Sequence, residues 1–270
     1  MVSVTRTRQD PGLFRRGLDG RQPHQTGLPE ERIFLGRSPT EMGEIPMQTG
    51  NRGVAIFQHM ETEGPGAFPE ILESRKVPFE IYRLDETNEV PAGISSPLVI
   101  MGGAMSVHDG KEFPFLAQEK ETIRRYIREG RPVLGICLGA QLVADAAGSR
   151  VYPFRKELGW CGVTRESPDD FPGFPDRMEV FQFHGDTFDL PEGAALLWRG
   201  DEVRNQMFRF GSAVGIQFHP EITIPLIRDW MKDLPDNGLE RLVARSSGLI
   251  PASHAFCEHV VDRFLLGGAG

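Results

Sequence analysis

The chain has 270 residues, 39% of them apolar and 25% charged, with a formal net charge of −8. That composition suits one sizeable α/β domain with a tail. It gives no reason to expect nucleic acid or an acidic membrane surface as partner, and no apolar run approaches the length of a bilayer span.

The three cysteines, Cys137, Cys161 and Cys257, are odd in number and irregularly spaced. They suggest neither a disulfide framework nor paired zinc ligands. Free thiols in a reducing, cytoplasmic compartment are the economical reading.

Residues 1–52 carry Pro11, Pro23, Pro29, Pro39 and Pro46 among many Gly, Arg and polar residues, with a single compact apolar cluster at Ile33, Phe34 and Leu35. This predicts a poorly ordered extension. Its arginines allow a targeting segment, but Asp10 and Asp19 interrupt the charge. A start site placed too far upstream fits at least as well, since Met47 stands just before the first strand. The folded domain is expected to cover residues 53–270.

From there strands and helices alternate. Residues 54–57 read as a buried strand, 68–75 as a helix, 79–84 as a strand, and 98–101 as a strand ending in Gly102-Gly103. Helical spacing over 115–129 stops at Gly130, and residues 133–136 form a fourth strand leading to a helix over 141–147. Continuous apolar runs alternating with amphipathic helices predict a mostly parallel α/β sheet covered on both faces. After Gly148 come short strands at 151–152, 161–164, 178–183, 196–198, 206–210 and 213–218, predicted to finish the main sheet and add a small antiparallel one. Helices over 224–232 and 254–266 close the chain.

The fourth strand runs into Gly135-Ile136-Cys137-Leu138-Gly139-Ala140-Gln141. A strand entering Gly-X-Cys-X-Gly before a helix is the layout of a nucleophile elbow, in which a side chain at either glycine would strike the neighbouring strand or helix. A helix N-terminus beneath a thiol favours the nucleophilic thiolate. A cysteine nucleophile needs a base, and the base an orienting group. Gly215-Ile216-Gln217-Phe218-His219-Pro220-Glu221 supplies both, with His219 at a strand end and Glu221 two residues on. The bland alternatives are a buried structural cysteine, a satisfied histidine and, for Gly102-Gly103, a plain turn.

Together these two motifs resemble the class I (triad-type) glutamine amidotransferase family. Gly102-Gly103-Ala104-Met105-Ser106-Val107 resembles its glycine-rich oxyanion loop. Glu157-Leu158-Gly159-Trp160 and His184-Gly185-Asp186-Thr187-Phe188 resemble segments of its stand-alone members, which are similar to the amidotransferase domain of GMP synthase. The resemblance spans roughly residues 53–230. It implies the family's flavodoxin-like fold, a nucleophile at Cys137, a base at His219 and its orienter at Glu221. Oxyanion donors would be the amides of Gly103 and Leu138, and substrate contacts would come from Gln141, Gly102, His184 and Asp186. Two departures stand out: Ala104 where many relatives have proline, and Gln182 where stand-alone relatives often have a second histidine.

The resemblance implies a hydrolase that releases ammonia from glutamine through a thioester on Cys137, without cofactor or metal. No phosphate-cradling loop followed by Lys-Ser/Thr and no Ser-Gly-Gly pyrophosphatase-type loop is visible. A nitrogen acceptor enzyme would therefore be a separate synthase subunit. The alternatives are a γ-glutamyl peptide hydrolase using the same triad, and a non-catalytic regulatory or binding subunit. For His184 and Asp186 a simple polar turn is an equal reading. Trp160 is expected to pack, Cys161 and Cys257 to be structural, and His254 and His259 to lack metal-ligand company.

Overall fold

In a computed structural model, which describes residues 53–267, the apolar runs of the first half become parallel strands. They are β1 (Val54–Gln58), β2 (Phe79–Arg83), β3 (Leu98–Ile100) and β4 (Val133–Ile136). The expectations for residues 1–52 lie outside the described residues.

Helices α1 (Phe68–Ser74), the short α2 (Leu84–Thr87), α3 (Phe115–Glu129) and α4 (Leu138–Ala146) connect these strands or follow them. The faces of β1 explain the layering, because successive side chains point to opposite sides. Val54 and Ile56 pack with Phe68, Ile71 and Leu72 of α1 on one face. Ala55 and Phe57 pack with Phe115, Leu116, Ile123 and Tyr126 of α3 on the other.

The second half contributes β5 (Val151–Arg165), β6 (Arg177–Phe188), β7 (Ala195–Gly200), β8 (Asn205–Phe210) and β9 (Ala213–Ile216), then α5 (Ile224–Trp230) and α6 (Asp236–Val260) with a π-helical turn at Val261–Leu265. The strand order is β2-β1-β3-β4-β9-β8-β7-β5-β6. Strand β9 pairs parallel with β4 and antiparallel with β8, so it is the seam between the two halves. The antiparallel strands expected as a small sheet are thus hydrogen-bonded onto the parallel half, forming one nine-stranded sheet.

The largest differences in extent from the sequence reading are in β5 and α6, while β6 also runs five residues further than expected, to Phe188. The runs at 151–152 and 161–164 belong to one strand, β5, whose register against β6 shifts between Pro153 and Glu157. A bulge there absorbs the polar, proline-containing stretch that hides the strand's continuity. The last helix begins at Asp236 rather than 254 and runs through Pro251. Leu239, Leu242, Val243, Leu249 and Ile250 hold it against a cluster built on Trp160, Phe181 and Ile227. Among the described residues no helix is long and apolar enough to cross a membrane.

Candidate active site

Four parallel strands end on one rim, where ligand sites of open α/β sheets gather. His59 follows β1, Gly102 lies just past β3, Cys137 follows β4, and His219 lies just past β9. Strands β4 and β9 are in register, Gly135 opposite Gly215 and Ile136 opposite Ile216, so the thiol and the imidazole leave adjacent strands side by side.

Cys137 occupies φ 50° and ψ −104° at the N-terminus of α4. It is one of three non-glycine residues with positive φ among those described, and the only one of them where a strand passes directly into a helix. The turn requires the flanking glycines: a Cβ on Gly135 would collide with the Gly139 carbonyl, and one on Gly139 with the Ile100 carbonyl. Sγ lies 3.7 Å from Gln217 Nε2 and 3.8 Å from the Phe183 carbonyl oxygen.

His219 is 1% exposed, and its Nδ1 donates to Glu221 Oε1 over 2.9 Å. Its Nε2 has no partner in hydrogen-bond geometry and is turned toward the thiol. Burial opposes the imidazolium, but the Glu221 carboxylate and the neighbouring Cys137 outweigh it, holding the ring well above its usual titration range. The Trp230 ring closes over His219 edge-on, with centroids 4.7 Å apart.

The backbone of Glu221 is fixed from two sides. Its carbonyl accepts from the Ala67 amide at 3.0 Å, an approach possible because Gly66 takes φ +54° and has no Cβ to strike that carbonyl. From α6, Ser253 Oγ donates to the Pro220 carbonyl at 3.1 Å and His254 Nε2 to the Ile222 carbonyl at 2.8 Å.

Gly102 and Gly103 border the same space. A Cβ on Gly102 would stand 3.3 Å from His219 Cε1 and 3.7 Å from Cys137 Cβ, and one on Gly103 would stand 2.8 Å from Leu138 Cδ2. Leu138 carries the first amide of α4, which has no carbonyl one helical turn back. The Gly103 amide likewise has no backbone partner among the described residues. Two unengaged N–H groups beside a thiol form a setting suited to a developing oxyanion.

The remaining sequence-predicted residues belong to a buried polar network behind the thiol. Gln141 Nε2 donates to Gln217 Oε1 and to the Asp186 carbonyl, each at 3.3 Å. His184 bridges the Asp186 carbonyl at 3.0 Å and Glu157 Oε2 at 3.1 Å. Gln206 also donates to Glu157, at 2.9 Å, and Gln182 to Gln206, at 2.7 Å. His184 and Asp186 thus lie within β6 and not in the polar turn allowed by the sequence, and His184 ties this end of β6 to β5 beside Cys137 instead of projecting into open space. Asp186 contributes its carbonyl, while its carboxylate accepts weakly from Ser106 Oγ at 3.4 Å. Trp160 packs edge-on against Phe181 and donates to Ser246 Oγ.

Sequence reading missed His59, Glu63, Glu119 and Trp230. The His59 ring lies between the Gly102 carbonyl, 2.9 Å from Nδ1, and Glu119 Oε1, 3.0 Å from Nε2. Glu63 is 7% exposed, and its Oε2 would lie 2.7 Å from a Gly102 Cβ. Burial raises the Glu63 carboxyl's pKa, although His219 and His59 pull the other way. The one available signal was position: a histidine directly after an apolar strand, on the rim that also carries Gly102 and Cys137. No group of acidic, histidine or cysteine side chains suited to a metal occurs among the described residues.

Comparison with known proteins matches this architecture. A model of the glutamine amidotransferase class-I family matches residues 69–227. The crystal structure of a glutamine amidotransferase from Thermotoga maritima superposes with a TM-score of 0.74 at 30% identity, covering 80% of this chain and 99% of that one. A glutamine amido transferase from Methylobacillus flagellatus gives 0.71 at 29% identity, with 81% and 96% covered. The GMP synthase (glutamine-hydrolyzing) of Porphyromonas gingivalis is 34% identical over 149 residues, 53% of this chain but 28% of the relative. The chain therefore spans little more than a quarter of that enzyme's length. The match covers more than half of the present chain and all of β2–β9, and the chain belongs to the class I glutamine amidotransferase family.

Proposed function

We propose that this protein hydrolyses the side-chain amide of glutamine through a thioester on Cys137. The observation that carries this reading is the His219–Glu221 bond of 2.9 Å, which leaves the other ring nitrogen turned toward a thiol at a helix N-terminus. The Cys137 thiolate attacks the γ-carbonyl carbon, and the amides of Gly103 and Leu138 meet the oxyanion. Imidazolium at His219 then donates its proton to the departing nitrogen. Ammonia leaves, water adds to the γ-glutamyl thioester with His219 as base, and glutamate is released with the thiolate restored. Glu221 holds the ring in place and stabilises its charge.

The matched segment covers about a quarter of the GMP synthase relative, whose name includes glutamine hydrolysis. The released ammonia passes to a separate acceptor subunit or to solvent. The test is ammonia and glutamate release from glutamine and from γ-glutamyl dipeptides, with Cys137→Ala as control. Glutamine is expected to be the preferred substrate and Cys137→Ala to fall to background. Equal rates for wild type and Cys137→Ala would end the thiolate mechanism, and preference for dipeptides would make the chain a γ-glutamyl peptidase.

A further inference from the structure

His59 and Glu119 form a buried pair next to the site, and the triad chemistry makes no use of it. Both residues are 0% exposed. Glu119 comes from α3, which covers the sheet, and His59 from the end of β1. Nδ1 faces the Gly102 carbonyl at 2.9 Å, a group that can only accept, so Nδ1 carries a proton; Nε2 faces Glu119 Oε1 at 3.0 Å, with one proton between them. Burial opposes a charged ring, but Glu119 outweighs it and draws that proton to His59. Among the described residues the second Glu119 oxygen has no partner, and His59 is the one side chain hydrogen-bonded to this carboxyl group. The Phe115 ring stacks on His59 at 15°, with centroids 5.8 Å apart, and fixes the plane of the imidazole. Among carboxylates, Glu63 also lies close enough to favour the charge.

A buried ion pair is close to neutral for stability, so stability gives a weak account of its presence. Its contact with Gly102 gives a better one. The Gly102 carbonyl and the Gly103 N–H are the two ends of one planar peptide, and in a trans peptide they point in opposite directions. Whatever holds the oxygen therefore aims the hydrogen. The peptide joins two glycines, the residues least able to fix their own backbone, and Ala104 follows where proline would have restrained the loop.

We propose that the His59–Glu119 pair is a positioning device that grips the Gly102 carbonyl and thereby presents the Gly103 amide to the oxyanion formed on Cys137. The inference rests on the hydrolytic reading above. His59 touches no reacting atom; it acts through the peptide.

Two substitutions separate this role from packing. In His59→Asn the side-chain amide nitrogen stands where Nδ1 stood and still reaches Gly102. In His59→Gln it stands nearer Nε2 and reaches Glu119 instead. For glutamine hydrolysis, His59→Gln is expected to lower kcat about 10²-fold, the cost typical of losing one oxyanion donor. His59→Asn is expected to stay within about tenfold of wild type on the same scale. KM and the rate of Cys137 alkylation by iodoacetamide, which forms no oxyanion, should stay near wild type in both.

Equal kcat for the two variants, or a parallel loss of alkylation, overturns the inference. An independent check needs no variant activity: ¹⁵N NMR of histidine-labelled wild type at pH 7 should show, beside the His219 ring, a second buried ring protonated at Nδ1, a signal absent from His59→Asn. A His59 ring without a proton on Nδ1 would overturn it too. Wild type without turnover of glutamine or of any γ-glutamyl dipeptide defeats both the hydrolytic reading and this one. Turnover with His59→Gln unimpaired defeats this one alone.

Discussion

Cys137, the nucleophile proposed above, has a backbone conformation that L residues avoid, φ 50° with ψ −104°, and such a residue costs on the order of 1–3 kcal/mol. The usual preference of alanine over glycine should therefore reverse at this position. Cys137→Gly is expected to be more stable than Cys137→Ala by about 1 kcal/mol in urea unfolding, since glycine adopts positive φ without steric cost. The opposite order would mean the elbow is unstrained. At this scale the sequence was most legible where function is punctuated by backbone chemistry. Gly135, Gly139 and Pro220 bracket Cys137 and His219, and a turn that tight leaves few residue choices. Glu119 was illegible for the converse reason. It sits on a helix among Lys120 and Glu121, where a carboxylate ordinarily faces water, and only the docking of α3 on β1 turns it inward onto His59.

The elements show the same division. Strands β1, β3, β4 and β9 announce themselves because both faces are buried and their runs are unbroken, whereas the edge strand β2 is partly exposed. Helix α6 does not: Gly238, Gly248 and Pro251 break its pattern, and it holds together through tertiary packing against Trp160, Phe181 and Ile227. It lies beyond the segment matched by the family model, yet two of its side chains bond the carbonyls on either side of Glu221. Removing one of them should loosen that segment. Ser253→Ala leaves the buried Pro220 carbonyl unsatisfied, which typically costs about 1–3 kcal/mol. Urea unfolding should show that loss, and glutamine turnover should fall severalfold as Glu221 gains freedom. Unchanged stability and unchanged turnover together would remove α6 from any account of the site.

Among the described residues, three buried groups that ordinarily titrate at or below about pH 6.5 bind protons more tightly in the folded state than in the unfolded chain. Burial opposes charge on His59 and His219, but their carboxylate partners prevail, so both folded pKa values are raised. Burial raises that of Glu63 as well. The stability contributed by a histidine of this kind is complete below its unfolded pKa of about 6.5 and is lost as pH climbs through the folded value. The Glu63 contribution declines in the same direction, beginning near its unfolded value of about 4.3. Unfolding free energy is therefore expected to fall as pH rises from about 6.5 into the alkaline range, and Glu221→Gln should flatten that slope by weakening the proton's hold on His219. A curve that is level or rising over this window would contradict the assignment of both histidines as imidazolium.

The seam at β9 has one more consequence, and it concerns history more than energy. Because Cys137 and His219 leave neighbouring, registered strands, their separation is set by the spacing of a hydrogen-bonded sheet, a length that scarcely varies between proteins. The polypeptide running from one to the other travels out through four antiparallel strands and back before it returns beside its starting point. The length of that excursion does not enter the spacing of β4 and β9, which the sheet alone sets. On the hydrolysis proposed above, the chemistry is held at the two ends of a segment whose outer surface is free to differ.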